Sequence, residues 1–194
     1  MSDVGTVTTI GRRTVVGLVS DTHLPRFGRR LPRALVEGFE AAGVSAVFHL
    51  GDHTAGFVVD LLTEIPGVGN GAVEPVAGNN DPPELIERFG LARVVIVDGL
   101  RVGLTHGHLG IERSTAERAL MTFGPLPSDV VEVVAFGHSH VPLVERRGGV
   151  LLVNPGSPTD RRRQPSFSFG LLRVEAGIAT AETVRFLTRE TGRP

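Results

Sequence analysis

The sequence predicts an α/β fold in which two β-sheets pack face to face with helices on their outer sides. Three observations carry this. In the first half, apolar strand-like runs alternate with helix-like stretches, the pattern of parallel strands joined by right-handed crossovers. In the second half, hairpin signals replace that alternation. Throughout, short clusters of histidine, aspartate and asparagine follow directly on the apolar runs.

The first strand is the apolar run Thr14–Val19. A helix is expected over residues 31–43, where Leu31, Leu35, Val36 and Phe39 recur at helical spacing and Gly43 supplies a C-cap. A second strand over 45–50 leads into the stretch GFVVDLLTEI, then a strand near 73–77 and a short helix over 82–90. Beyond this point the chain turns β-rich. Asp98-Gly99 between two apolar runs is a strong two-residue hairpin signal. Similar readings fit LVERRGGVLLV and LLRVEAGIATAETVRF, and one helix over roughly 112–123 interrupts this half. One sheet is therefore expected to be fed by strand–helix units and the other by hairpins.

At 194 residues the chain is read as one domain spanning 1–194, large enough to bury a substantial core. No apolar run approaches the roughly 20 residues that a membrane helix requires. The first residues carry an early acidic side chain and no signal-type apolar core, which points to a cytoplasmic protein. Cysteine is absent, so disulfides, thiolate-ligated zinc and cysteine nucleophiles are all excluded. Any metal must be held by oxygen and imidazole nitrogen. The net charge of −1 provides no basic field of the kind nucleic-acid binders carry, so no specific nucleic-acid binding is expected. All 20 basic residues are arginine, a bias best explained by GC-rich coding.

The seven histidines fall into four clusters: Asp21-Thr-His23, His49-Leu-Gly-Asp52-His53, His106-Gly-His108 and His138-Ser-His140. A fifth cluster, Gly78-Asn79-Asn80-Asp81, lacks histidine. Successive clusters lie about one strand and its return connection apart. In open α/β sheets ligands gather outside the carboxyl ends of strands, so all five loops can meet at one edge. Imidazoles, carboxylates and an amide gathered there are ligand groups for two adjacent divalent metals. Asp21-x-His23 and His138-x-His140 each place two donors two residues apart, on the same side of an extended segment. Asp52 offers a carboxylate able to bridge two cations, and Asn79 adds an oxygen ligand without charge. His49, inside an apolar strand, reads as structural. His53 stays open between a supporting role and a helix-start residue, while His108, which shares a loop with His106, reads as touching metal or substrate.

These clusters, together with Asn154-Pro155-Gly156-Ser157, resemble the calcineurin-like metallophosphoesterases. The likeness is to the small bacterial and archaeal phosphodiesterase branch and runs from about residue 14 to 175. It implies a four-layer α/β/β/α sandwich of two mixed β-sheets with a dinuclear metal site at one sheet edge. Carried over, Asp21, His23 and His140 would hold one metal, Asn79, His106 and His138 the other, and Asp52 would bridge. The resemblance further implies in-line attack on phosphorus by a hydroxide shared between metals about 3.5–4 Å apart.

One departure matters. Larger members carry, directly after the metal-binding asparagine, a histidine that protonates the leaving oxygen; this chain has Asn80. An amide hydrogen-bonds a phosphate oxygen but is no general acid. Asn80 is thus expected to bind substrate, with protonation falling to His108, His53 or water. The 154–157 turn is expected to cap the metal edge and to bring arginines 161–163, Arg163 among them, toward a substrate phosphate.

The function expected is a divalent-metal phosphodiesterase acting on a small phosphate ester. The alternatives are a non-catalytic scaffold like a eukaryotic retromer subunit of this fold, or a phosphomonoesterase or protein phosphatase. Manganese is the expected metal, with iron, zinc or nickel as alternatives. Exposed strands in the hairpin half could pair two copies as a homo-oligomer.

Overall fold

The structure, a computed structural model, describes residues 9–10, 14–69 and 72–190. The N-terminal residues read for a leader lie outside them.

One sheet has five strands: β2 (Thr14–Val19), β3 (Ala46–Leu50), β4 (Val73–Val76), β10 (Phe167–Glu175) and β11 (Ile178–Phe186), in the order β11-β10-β2-β3-β4. The other has six: β1 (Thr9–Ile10), β5 (Ala92–Val97), β6 (Leu100–Thr105), β7 (Val133–Ala135), β8 (Leu143–Arg147) and β9 (Val150–Asn154), in the order β1-β5-β6-β7-β9-β8. Helices α1 (Arg33–Ala42), α2 (Phe57–Thr63) and α3 (Pro83–Phe89) accompany the first sheet, and α4 (Thr115–Met121) covers the second.

Period-two alternation sorts the strand side chains between layers. Val16 and Leu18 of β2 and Ala46, Phe48 and Leu50 of β3 point between the sheets, where they meet Val95, Val102, Leu104, Val133 and Val153. Val19 and Val47, on the opposite faces, pack under Leu35, Phe39, Val58 and Leu62 of the helices. A separate apolar layer joins Val134 and Leu152 to Ala119 and Phe123 near α4. The result is the four-layer α/β/β/α sandwich, and both sheets are mixed.

Local chemistry sets several boundaries as expected. Gly43 caps α1 in the left-handed conformation at φ 67°. Asp98 and Gly99 both adopt positive φ, the type I′ geometry of a tight hairpin. The helix expected over 112–123 is shorter, because Ser114 and Glu117 form a reciprocal capping box that starts α4 at Thr115.

The C-terminal hairpin departs from the expected division. β10 pairs antiparallel with β2, so the hairpin β10–β11 extends the strand–helix sheet rather than the hairpin sheet. Conversely, the second sheet gains parallel pairs, β6 with β7 and β7 with β9. Turn residues specify that a hairpin forms, whereas the sheet it joins depends on which face its side chains must bury. Here Leu172 and Val174 enter the layer between the sheets, while Phe169 turns outward onto Phe39 at a ring separation of 5.2 Å.

Among the described residues no helix is long and apolar enough to cross a membrane.

Candidate metal centre

Strands β2, β3, β4, β6 and β7 end at one edge of the sandwich, and each delivers one polar cluster there. The backbone reaches this edge at a conformational cost. Asp21, His23, Asp52, His138 and His140 all adopt positive φ, between 45° and 68°. Left-handed backbone is uncommon for residues other than glycine and persists only where surrounding structure imposes it. Here it turns side chains from three loops, those after β2, β3 and β7, toward one point.

Close approach between loops is the second requirement. A Cβ on Gly137 would lie 1.8 Å from Ser20 Oγ, and one on Gly78 would lie 2.2 Å from Asp52 Oδ1. Any side chain at either position would push a carboxylate loop out of place.

The donor atoms converge as a result. Asp21 Oδ1 lies 3.1 Å from His140 Nε2, 3.9 Å from His23 Nε2 and 4.0 Å from His106 Nε2. Asp52 Oδ2 lies 3.4 Å from His106 Nε2 and 3.7 Å from His23 Nε2, between the two groups. Asp21, His23 and His140 form one compact trio and Asp21, Asp52 and His106 another. The shared member of the two trios is Asp21, while Asp52 spans an imidazole of each.

Tautomers are set from outside the site. His106 Nδ1 donates to the Leu50 carbonyl at 2.7 Å, and His140 Nδ1 donates to the Asp160 carbonyl at 2.5 Å. With the proton fixed on Nδ1, each Nε2 points inward with a lone pair. Asp21 Oδ1 and the Nε2 atoms of His23, His106 and His140 are all buried without a hydrogen-bond partner. Buried polar atoms are ordinarily paired, so four orphaned acceptors facing one another fit a cation between them.

Titration behaviour agrees in sign. Burial by itself would raise the Asp21 and Asp52 carboxyls, but their imidazole neighbours outweigh it and hold both below the usual carboxylate range. Burial would lower His106 and His140, but the carboxylates prevail and raise them. The centre favours positive charge. Burial dominates at His138, which is lowered to about 4, with the charges of His106 and Arg118 adding to the effect.

The remaining expected residues lie around this core. The His138 ring stands edge-on to His106 at 5.1 Å, and its backbone N–H donates to Asp21 Oδ2. Asn79 is exposed in the turn after β4. Asn80 is turned onto the carboxylate: its backbone N–H donates to Asp52 Oδ1 at 2.8 Å and its amide to Asp52 Oδ2 at 2.6 Å. His108, half-buried, lies 5.4 Å from the His106 ring and 6.3 Å from His138. His49 is fully buried, bonded to Thr22 Oγ1 and stacked on His53 at 3.6 Å, consistent with a structural residue. Arg163 is exposed.

The 154–157 turn does cap the edge. Asn154 donates to the Gly137 carbonyl, Ser157 Oγ to the Asp21 carbonyl, and Thr159 Oγ1 to the Thr22 carbonyl, so one loop clamps two ligand loops.

Asp81 was not singled out by sequence reasoning, yet it organises the other side. Its carboxylate accepts from the backbone N–H groups of Asp52, Gly78 and Thr54 and from His53 Nδ1. The available signal was its place in Gly78-Asn79-Asn80-Asp81, where a short acidic side chain can bind its own loop.

Comparison with known proteins agrees with this geometry. The calcineurin-like phosphoesterase superfamily domain matches residues 15–177. A protein of Methanothermobacter thermautotrophicus named "Probable metallophosphoesterase" is 33% identical over 172 residues, covering 88% of this chain and 92% of its own. The structure of an archaeal phosphodiesterase superposes with a TM-score of 0.62 at 27% identity, over 88% of this chain and all of that one. Wild-type Vps29 of Entamoeba histolytica, solved in complex with zinc, shares the fold at a TM-score of 0.64 and 22% identity, over 89% of this chain and 99% of that one. Carboxylates and imidazoles at the joined edge of two mixed sheets, and a match over nearly the whole chain, place this protein in the calcineurin-like phosphoesterase superfamily.

Proposed function

We propose that the chain is a divalent-metal-dependent phosphodiesterase working at a two-metal centre. The observation that carries this reading is the convergence of four buried, partnerless ligand atoms from three strand ends. In this reading Asp21, His23 and His140 would hold one cation and Asn79, His106 and His138 the other, with Asp52 as the ligand available to both. Bound there, divalent cations would supply Lewis-acid stabilisation of charge on the phosphoryl oxygens and a lowered pKa for water. The protein's own contribution is preorganisation. The Leu50 and Asp160 carbonyls hold two imidazoles in the ligating tautomer, and Asn80 holds the Asp52 carboxylate by both oxygens.

A diester is favoured because the similar archaeal structure is that of a phosphodiesterase. A pure scaffold would have no need to keep four buried acceptors unpaired, each costing about 1–3 kcal/mol.

The test is hydrolysis of bis(4-nitrophenyl) phosphate and 4-nitrophenyl phosphate by metal-stripped protein re-supplied with manganese, iron, zinc or nickel. Manganese is expected to restore a rate at least about 100-fold above the stripped protein, with the diester preferred. Absence of any metal-dependent rate overturns the enzymatic reading.

In this reading, proton delivery to the leaving group falls to His108 or water. His53 is 0% exposed and engaged by Asp81, out of reach of substrate. His108 is half-buried beside His106 and His138 and is the remaining imidazole for this role. Asn80, committed to Asp52, supplies no proton, so leaving groups of low pKa are favoured. Asn80→His is therefore expected to raise the rate on alkyl relative to nitrophenyl leaving groups by about tenfold or more. An unchanged ratio would rule the explanation out.

A further inference from the structure

A pocket of about 510 Å³ opens one residue beyond His108. Leu91, Leu109, Met121 and Phe123 make its wall mainly apolar, and its volume falls in the range of small-molecule sites. It is tied directly to the metal edge. Arg118, part of the wall, donates from Nε to the carbonyl of Gly107, the residue between His106 and His108.

The charged groups in the wall decide what fits. Arg118 directs Nη1 to the Glu112 carbonyl and Nη2 to Thr115 Oγ1, so all three guanidinium nitrogens are committed to the protein. Arg93 is likewise taken up by Glu74 and the Phe89 carbonyl. Glu112 contributes a carboxylate whose Oε2 is buried without a partner. With Arg93 paired to Glu74, and Arg118 and Glu112 opposite in sign, the wall has no excess of positive charge to draw a second phosphate. An uncharged aromatic group would find apolar contacts and a thioether, a favourable neighbour for a ring.

We propose that this pocket receives an uncharged aromatic arm of a phosphate diester whose phosphorus lies at the metal centre. The proposal rests on the phosphodiesterase reading and deepens it.

The chain offers a direct reporter. It has two methionines, Met1 and Met121, so a methyl-labelled methionine sample places one resonance in the pocket. The full chain, loaded with diamagnetic zinc, is titrated with diphenyl phosphate and with dimethyl phosphate. Diphenyl phosphate is expected to shift the Met121 methyl saturably through ring-current effects, and dimethyl phosphate to leave it in place. Met121→Glu, at a half-exposed position, is expected to weaken inhibition of turnover by diphenyl phosphate about tenfold, the equivalent of 1.4 kcal/mol. An unmoved methyl overturns the proposal, whether or not diphenyl phosphate inhibits turnover, as do equal shifts with both diesters. If no metal supports hydrolysis, the phosphodiesterase reading fails by itself, and the methyl titration still decides the pocket.

Discussion

Asp52→Asn is expected to lower kcat/KM for an activated diester by about three orders of magnitude, equivalent to about 4 kcal/mol of transition-state stabilisation. The carboxylate stands between the His23 and His106 Nε2 atoms at 3.7 and 3.4 Å and is oriented by two donors from Asn80. The amide is nearly isosteric but loses the anionic oxygen available to a second cation. It also sets an NH2 group against either the Asn80 amide or the inward lone pairs. The loss should therefore appear as reduced metal stoichiometry as well as reduced rate, measured by metal titration beside kinetics. With no tryptophan or tyrosine in the chain, far-UV circular dichroism is the check that the variant is folded. Comparable rates and stoichiometry in both proteins would remove Asp52 from the bridging position.

Asp81→Ala is expected to be the most damaging single change for stability at the site. The substitution strands three backbone N–H groups and His53 Nδ1, and the Asp81 side chain is fully buried. Burial alone would raise the Asp81 carboxyl, but the bond from His53 and those from Gly78 and Thr54 reverse the sign and hold it ionised. Removing one partner of such a buried, charged network costs about 3–5 kcal/mol. At 2–4 °C per kcal/mol for a chain of this size, Tm should fall by about 6–20 °C. Asp81→Asn keeps the volume and one acceptor, and a smaller fall is expected. In that folded variant metal affinity should still drop about 10–100-fold, because the loop carrying Asp52 loses an anchor. A Tm loss with unchanged metal affinity would make Asp81 a purely structural residue.

Much of the fold was legible from local rules. Alternating apolar residues in β2 and β3, the Gly43 cap and the Asp98-Gly99 turn each involve residues within a few positions of one another. The sheet that takes the C-terminal hairpin was not legible, since β10 pairs with β2 some 150 residues away. The site divides along the same line. Asp21, His23, Asp52, His106 and His140 were identifiable because each is a strong donor at the end of an apolar run, and they do converge. The position of Asn80 on Asp52 and the four-fold role of Asp81 were not, because these bonds join two loops some 28 residues apart in sequence.

By itself the sequence determined which side chains stand at strand ends, that the metal ligands must be oxygen and nitrogen, and that an amide, Asn80, rather than an imidazole follows Asn79. Those are properties of residue type and short-range order. Only the tertiary structure decided that Asp52 lies between two imidazoles, that His53 is sealed away while His108 faces the edge, and that an apolar pocket adjoins it. The reason is physical. Those relations depend on left-handed ligand loops pressed together across Gly78 and Gly137, and such close approach exists only once both sheets have packed.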